Sequence, residues 1–222
     1  MRTATLLLTC PLLLTACGHE SDGIALGDTW IPGEAIDTAV REMKGSFPQW
    51  GENSLAWHVL DGGFGPAWLL HAELAAESSA ALEEADRWAR RLQGGESFAD
   101  LARERTLDPE AGVIEGPFAP SPFEIRSGRV AAAVGSLEPG QWTGPVKTIR
   151  GWELIWLQER GDAPRNRASV TLIRLEFPVG APEARERARV AWNTLPIGGS
   201  PDRIRDLPFR FRHGRVAAAE SS

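Results

Sequence analysis

The strongest constraint on the fold lies between residues 80 and 160, where elements of recognisable type follow one another at short intervals. Leu82, Ala85, Trp88, Ala89 and Leu92 share one face of a helix over residues 80–92. Ser78 or Ser79 is placed to cap its start, Glu83 with Arg87 and Asp86 with Arg90 are spaced for surface pairs, and Gly94 suits its end. A second short helix starts at Ser97, with Asp100 in its first turn. Glu138-Pro139-Gly140-Gln141 has proline and glycine where a type II turn needs them. Strands over residues 144–149 and 152–157, joined at Arg150-Gly151, then form a hairpin.

The flanks are simpler. Residues 32–43 read as a helix, with Ala35, Ile36, Ala39, Val40 and Met43 at helical spacing behind Pro32. Residues 55–60 have the length and Trp/Val content of a strand, closed by the glycine-rich turn at 61–66. After Gly161 the composition changes: residues 162–166 look like a linker, 170–177 like a strand and 182–192 like a helix. These read as an incomplete second unit or an extra layer on the first. The tail at 208–212 alternates apolar and basic residues, as an edge strand does. Its solvated arginines are an exposed face or a contact for anionic lipid.

The chain begins with Arg2, an apolar run over residues 4–14 and Leu14-Thr15-Ala16-Cys17. The run is shorter than the roughly 20 apolar residues a spanning helix needs. Its ending resembles a bacterial lipobox, which makes residues 1–16 a signal peptide and Cys17 the lipidation site. The alternative is an ordinary cleaved signal. With Cys17 acylated and Cys10 removed, no disulfide is possible and the fold must stand on its core. Gly18 is not the aspartate that retains many lipoproteins at the inner membrane, so the expected location is the cell envelope, at the outer membrane facing the periplasm. A net charge of −6 supplies no electrostatic reason to expect nucleic acid.

Gly94-Gly95, Ser97-Phe98-Ala99-Asp100-Leu101-Ala102, Thr106-Leu107-Asp108, Leu137-Glu138-Pro139-Gly140-Gln141, Gly144-Pro145-Val146 and Gly151-Trp152-Glu153-Leu154-Ile155 occur in an order that resembles the parvulin-type (PpiC-like) peptidyl-prolyl isomerases, in a lipoprotein form. The resemblance runs from residue 54 to 161. It implies an α+β fold: a four-stranded antiparallel sheet flanked by helices, here with an extra N-terminal helix and C-terminal strand and helix segments. The expected organisation is a signal peptide at 1–16, a tether and helix at 17–53, the parvulin-like domain at 54–161 and an extension at 162–222.

The resemblance also implies a site. Parvulins place two histidines on neighbouring central strands, a Cys or Asp after the second helix, and an apolar prolyl pocket. Ala56-Trp57-His58-Val59-Leu60 resembles the first strand and sets His58 at the first histidine position, with His71 in Trp68-Leu69-Leu70-His71 as the rival. Asp108 falls where the family has Cys or Asp, although it could equally start the turn at Asp108-Pro109. Phe123, followed by Glu124, floors the pocket, and Phe118 lines it; either ring could also be ordinary core. Three departures stand out: Glu153 replaces the second histidine, the segment between Gly116 and Phe123 is short, and Ala131-Ala132-Ala133-Val134 lacks a phenylalanine. Glu153 is either a carboxylate facing the histidine across the strands, fixing its tautomer, or an exposed strand residue.

The expected function is prolyl isomerisation of unfolded or proline-containing exported polypeptides, with membrane contact only through the lipid. Rotation about an amide makes and breaks no bond, so no metal and no cofactor is required. The alternative is a catalytically degenerate chaperone or peptide-binding module using the same groove.

Overall fold

The computed structural model describes residues 22–46, 51, 55–56, 59–106, 112–115, 128–161 and 169–207. Two short strands, β1 (Gly23–Leu26) and β2 (Thr29–Pro32), form a hairpin that leads into helix α1 (Gly33–Ser46). Helix α1 buries Ile36, Ala39 and Met43, with Glu34 in its first turn and Lys44 in its last, each suiting the helix dipole. A π-helical turn at Leu60–Phe64 runs into α2 (Gly65–Glu73), which carries Pro66 in its first turn. The chain breaks at Leu74 and resumes as α3 (Ala75–Gln93), followed by α4 (Phe98–Thr106) and β3 (Gly112–Glu115).

Helix α5 (Gly128–Gly135) precedes the hairpin of β4 (Trp142–Thr148) and β5 (Gly151–Gly161). Then come β6 (Ser169–Pro178), α6 (Pro182–Thr194), β7 (Ile197–Gly199) and α7 (Pro201–Asp206). The strands form two antiparallel sheets, β2-β1-β7 and β3-β6-β5-β4. The larger is the expected four-stranded sheet with helices on both faces.

Its middle strands have nothing but apolar side chains and one polar cluster to bury. Residues Trp152, Leu154 and Trp156 of β5, with Ile173, Leu175 and Phe177 of β6, face the main core under α3. The opposite face carries Ile155, Leu157 and Leu172 against Val130 and Val134 of α5 and Val146 of β4. The period of two along each strand therefore sorts residues between two cores. Helix α3 presents Ala81, Ala85 and Ala89, whose small size lets it lie close to the sheet. Its end is fixed by the Gly94 N–H, which donates to the Arg90 carbonyl at 2.9 Å.

Three expectations need correction. The described residues of 55–60 do not form a strand: Leu55, Ala56 and Val59 are helical and Leu60 starts the π turn. A short run with five apolar residues in six reads either way by periodicity, and here Leu55, Val59 and Leu60 are all buried in the core. Helix α3 starts at Ala75 and no side chain caps it; Ser78 is buried within its first turns. The strand after Gly161 starts neither a second unit nor an extra layer, because β6 lies inside the sheet between β3 and β5. The antiparallel ladder of β5 with β6 runs from Gly151 opposite Pro178 to Gly161 opposite Ser169.

Candidate functional site

Of the residues singled out from sequence, Glu153 and the rival His71 lie among the described residues. His58, Asp108, Phe118, Phe123 and Cys17 lie outside them. Glu153 is on β5, two residues after Gly151, whose φ of 140° and contact with the Phe177 carbonyl leave no room for a side chain. The carboxylate is 0% exposed. Its Oε1 accepts a hydrogen bond from the Thr148 hydroxyl at 2.6 Å, and its Oε2 accepts from Arg174 Nε at 2.6 Å, with Arg174 Nη2 on the same oxygen.

Arg174 is the residue that sequence reasoning missed. It sits on β6, the strand beside β5, opposite Ile155 and therefore on the same face as Glu153. The two side chains that meet on neighbouring central strands are thus Glu153 and Arg174. A signal was present: in 170–177, Arg174 and Glu176 alternate with Ile173, Leu175 and Phe177, which marks a strand whose second face is charged although both faces are covered. Glu176 lies directly across from Glu153, and Arg150 answers it at 2.9 Å. Burial, followed by the negative charge of Glu153, pushes the Glu176 carboxyl above its ordinary pKa. Two carboxylates and two guanidiniums balance in charge, three of them buried and Arg150 half exposed at the outer end of the cluster.

His71 lies on the other side of Thr148. It occupies the last turn of α2, is 5% exposed, and meets the Trp152 ring edge-on at 5.3 Å. Its Nδ1 is 2.6 Å from the Ser78 hydroxyl and its Nε2 is 3.0 Å from the Thr148 carbonyl. A carbonyl only accepts, so Nε2 carries the proton and Nδ1 accepts from Ser78. Desolvation lowers the His71 pKa to about 4, the bond to Thr148 opposes that fall, and Lys147 adds to it. Helix α2 therefore holds a neutral imidazole at physiological pH, pinned by two bonds. Thr148 joins the two halves: its carbonyl accepts from His71 on one face and its hydroxyl donates to Glu153 on the other.

A neutral imidazole and a compensated carboxylate, both enclosed, are groups that hold strands and helices in register. Among the described residues no group of three His, Cys, Asp or Glu is arranged to hold a metal. The described surface leaves Val190, at 52%, as its exposed large apolar side chain.

Residues 66–167 match the family model described as the PPIC-type PPIASE domain. That segment contains α2, α3, α4, β3, α5, β4 and β5, in the order of the sequence motifs. The match supports a parvulin-type peptidyl-prolyl isomerase domain over these residues. It ends two residues before β6, so the strand that carries Arg174 lies outside the matched span. No curated protein and no solved structure matches the chain significantly.

Proposed function

We propose that the protein is a peptidyl-prolyl cis-trans isomerase acting as a foldase on unfolded, proline-containing exported polypeptides. It is held in the cell envelope by a lipid on Cys17, at the outer membrane facing the periplasm, after removal of residues 1–16. The observation that carries the reading is the PPIC-type match over 66–167, laid on a four-stranded antiparallel sheet with helices on both faces.

Amide resonance sets a barrier of roughly 18–20 kcal/mol. A catalyst has to grip the prolyl ring in an apolar pocket and favour the twisted amide over the planar one. In this reading Phe118 and Phe123 form the pocket, and His58, Asp108 and Glu153 form the polar centre. Glu153, being enclosed, acts through Thr148 and Arg174 rather than by touching the substrate.

A second reading has its own support: the parvulin-like domain binds extended peptides without accelerating rotation. It is favoured by the Glu153–Arg174 pair, because a carboxylate neutralised by a guanidinium offers a substrate amide neither a free base nor a free donor.

NMR exchange of cis/trans populations in short X-Pro peptides separates the two. With the chain from residue 18 onward, faster exchange that His58→Ala abolishes is expected for the isomerase. Peptide line broadening with exchange at the uncatalysed rate would refute it and leave the binding module.

A further inference from the structure

A pocket of about 280 Å³ opens beside β4, on the side away from β5 among the described residues, and its lining residues Gly144 and Val146 lie against Glu153. Glu42 of α1, Arg129, Ala133 and Ser136 at α5, and residues 143–146 of β4 line it. Among the described residues β4 is an edge strand, and its register with β5 slips between Thr143 and Val146, which takes Gly144 and Pro145 out of the ladder. The bulge turns this part of the edge toward the cavity.

The charges around the pocket are unevenly answered. Arg129 lies over the Phe64 ring, with its Cζ 5.7 Å from the centroid, and its Nη2 reaches Glu42 at 3.4 Å. Its Nε is buried and finds no hydrogen-bond partner among the described residues. The next cation along the edge, Lys147, stands 4.9 Å from the Trp68 ring and 5.1 Å from the Trp152 ring, with no carboxylate paired to it among the described residues. Burial holds the Lys147 pKa below its usual value, and the positive field of Arg129 holds it lower still. Glu42 answers Arg129 alone, while Lys147, turned to the other face of β4 over Trp68 and Trp152, adds its positive field without lining the pocket.

We propose that this pocket binds the carboxylate of an acidic side chain in an extended polypeptide. Arg129 makes the ion pair, Lys147 contributes field, and Ala133, Pro145 and Val146 receive the aliphatic stem. Glu42 is the placeholder: at 3.4 Å and 43% exposed, its bond to Arg129 is of the weak surface kind that an incoming carboxylate displaces. The site concerns binding alone and stands whether or not the protein isomerises proline.

Fluorescence anisotropy of labelled extended peptides tests it, each carrying either Glu or Gln at one central position and no proline. The Glu peptide is expected to bind on the order of tenfold more tightly, as a charge-assisted pair requires, with the advantage shrinking in high salt. Arg129→Met should erase the advantage, and Glu42→Gln should enlarge it several-fold. Inorganic phosphate and acetate serve as competitors: displacement of the Glu peptide by either identifies the anion subsite, and failure of both assigns the affinity to the peptide as a whole, against the proposal. Equal binding of the two peptides, or a Glu preference that survives Arg129→Met, would overturn it. Should Arg129→Met fail to fold, Glu42→Gln decides alone, because an unchanged Glu preference there also overturns the proposal.

Discussion

Replacing Arg174 with methionine should be among the most damaging single changes in this protein. The substitution keeps the apolar stem but leaves Glu153, at 0% exposure, with Thr148 as its remaining hydrogen-bond partner. Breaking a buried pair by removing one member costs about 3–5 kcal/mol, far more than a surface pair is worth, because the surviving charge stays desolvated. In a chain of this size each kcal/mol moves Tm by roughly 2–4 °C, so a fall of roughly 6–20 °C is expected. Glu153→Leu alone should cost a similar amount by stranding Arg174. The double variant Glu153→Leu/Arg174→Met removes both charges. It should recover to within about 2 kcal/mol of the parent, the residue being the Thr148 hydroxyl that loses its acceptor. Urea unfolding of the four proteins closes the cycle. A cost below about 1 kcal/mol for Arg174→Met, or a double variant no better than the sum of the singles, would refute the claim that these two residues lock the middle strands together.

Two further outcomes follow from the same core. His71 has a folded pKa of about 4 against 6.5 when exposed, so the unfolded chain binds the extra proton between those values. Stability is then fully present above about pH 6.5 and falls as the pH drops toward 4, by about 3 kcal/mol at 1.36 kcal/mol per unit; His71→Asn should flatten that segment of the profile, and an unchanged slope would count against a neutral buried imidazole. Glu176, whose pKa is raised, contributes in the opposite direction, so the comparison of variant with parent is the quantity to read. A chain ending at residue 167 keeps the whole family-matched segment yet loses β6. It should show no cooperative unfolding transition, whereas a chain ending at residue 207 should retain one; cooperative melting of the shorter chain would disprove the central place of β6.

Local periodicity made much of the architecture legible. Helices α1, α3, α4 and α6 and the β4–β5 hairpin follow from apolar spacing, glycine stops and proline entries, all of which act within a few residues. What escaped depends on partners far along the chain. The run Leu55 to Leu60 could be strand or helix until something decides which residues it buries, and Leu55, Val59 and Leu60 reach the main core from a helical backbone. Residues 170–177 read correctly as a strand, but no local signal reveals that β5 and β3 take it between them. The same non-locality hid the site. Glu153 was visible as a departure at a histidine position, whereas Arg174 becomes its partner only through a pairing across 21 residues. His71 looked like a strand histidine, and its meaning as a helix-borne, doubly bonded imidazole depends on Thr148, 77 residues away.

The place of β6 in the sheet also dictates an order of events. A chain made from its N-terminus completes β3, β4 and β5 before the strand that must lie between β3 and β5 exists. Until residue 178 is available, β5 has one bare edge and β3 lacks the one strand it pairs with among the described residues, so the half-built sheet presents unpaired N–H and C=O groups to whatever strand arrives first. Pairing β6 with β5 closes a short connection, but pairing it with β3 closes a long one, so the latter is the slower contact and its open edge stays exposed to capture by other chains. A protein proposed to guard others during folding would itself pass through the kind of open-edged intermediate that such guardianship addresses.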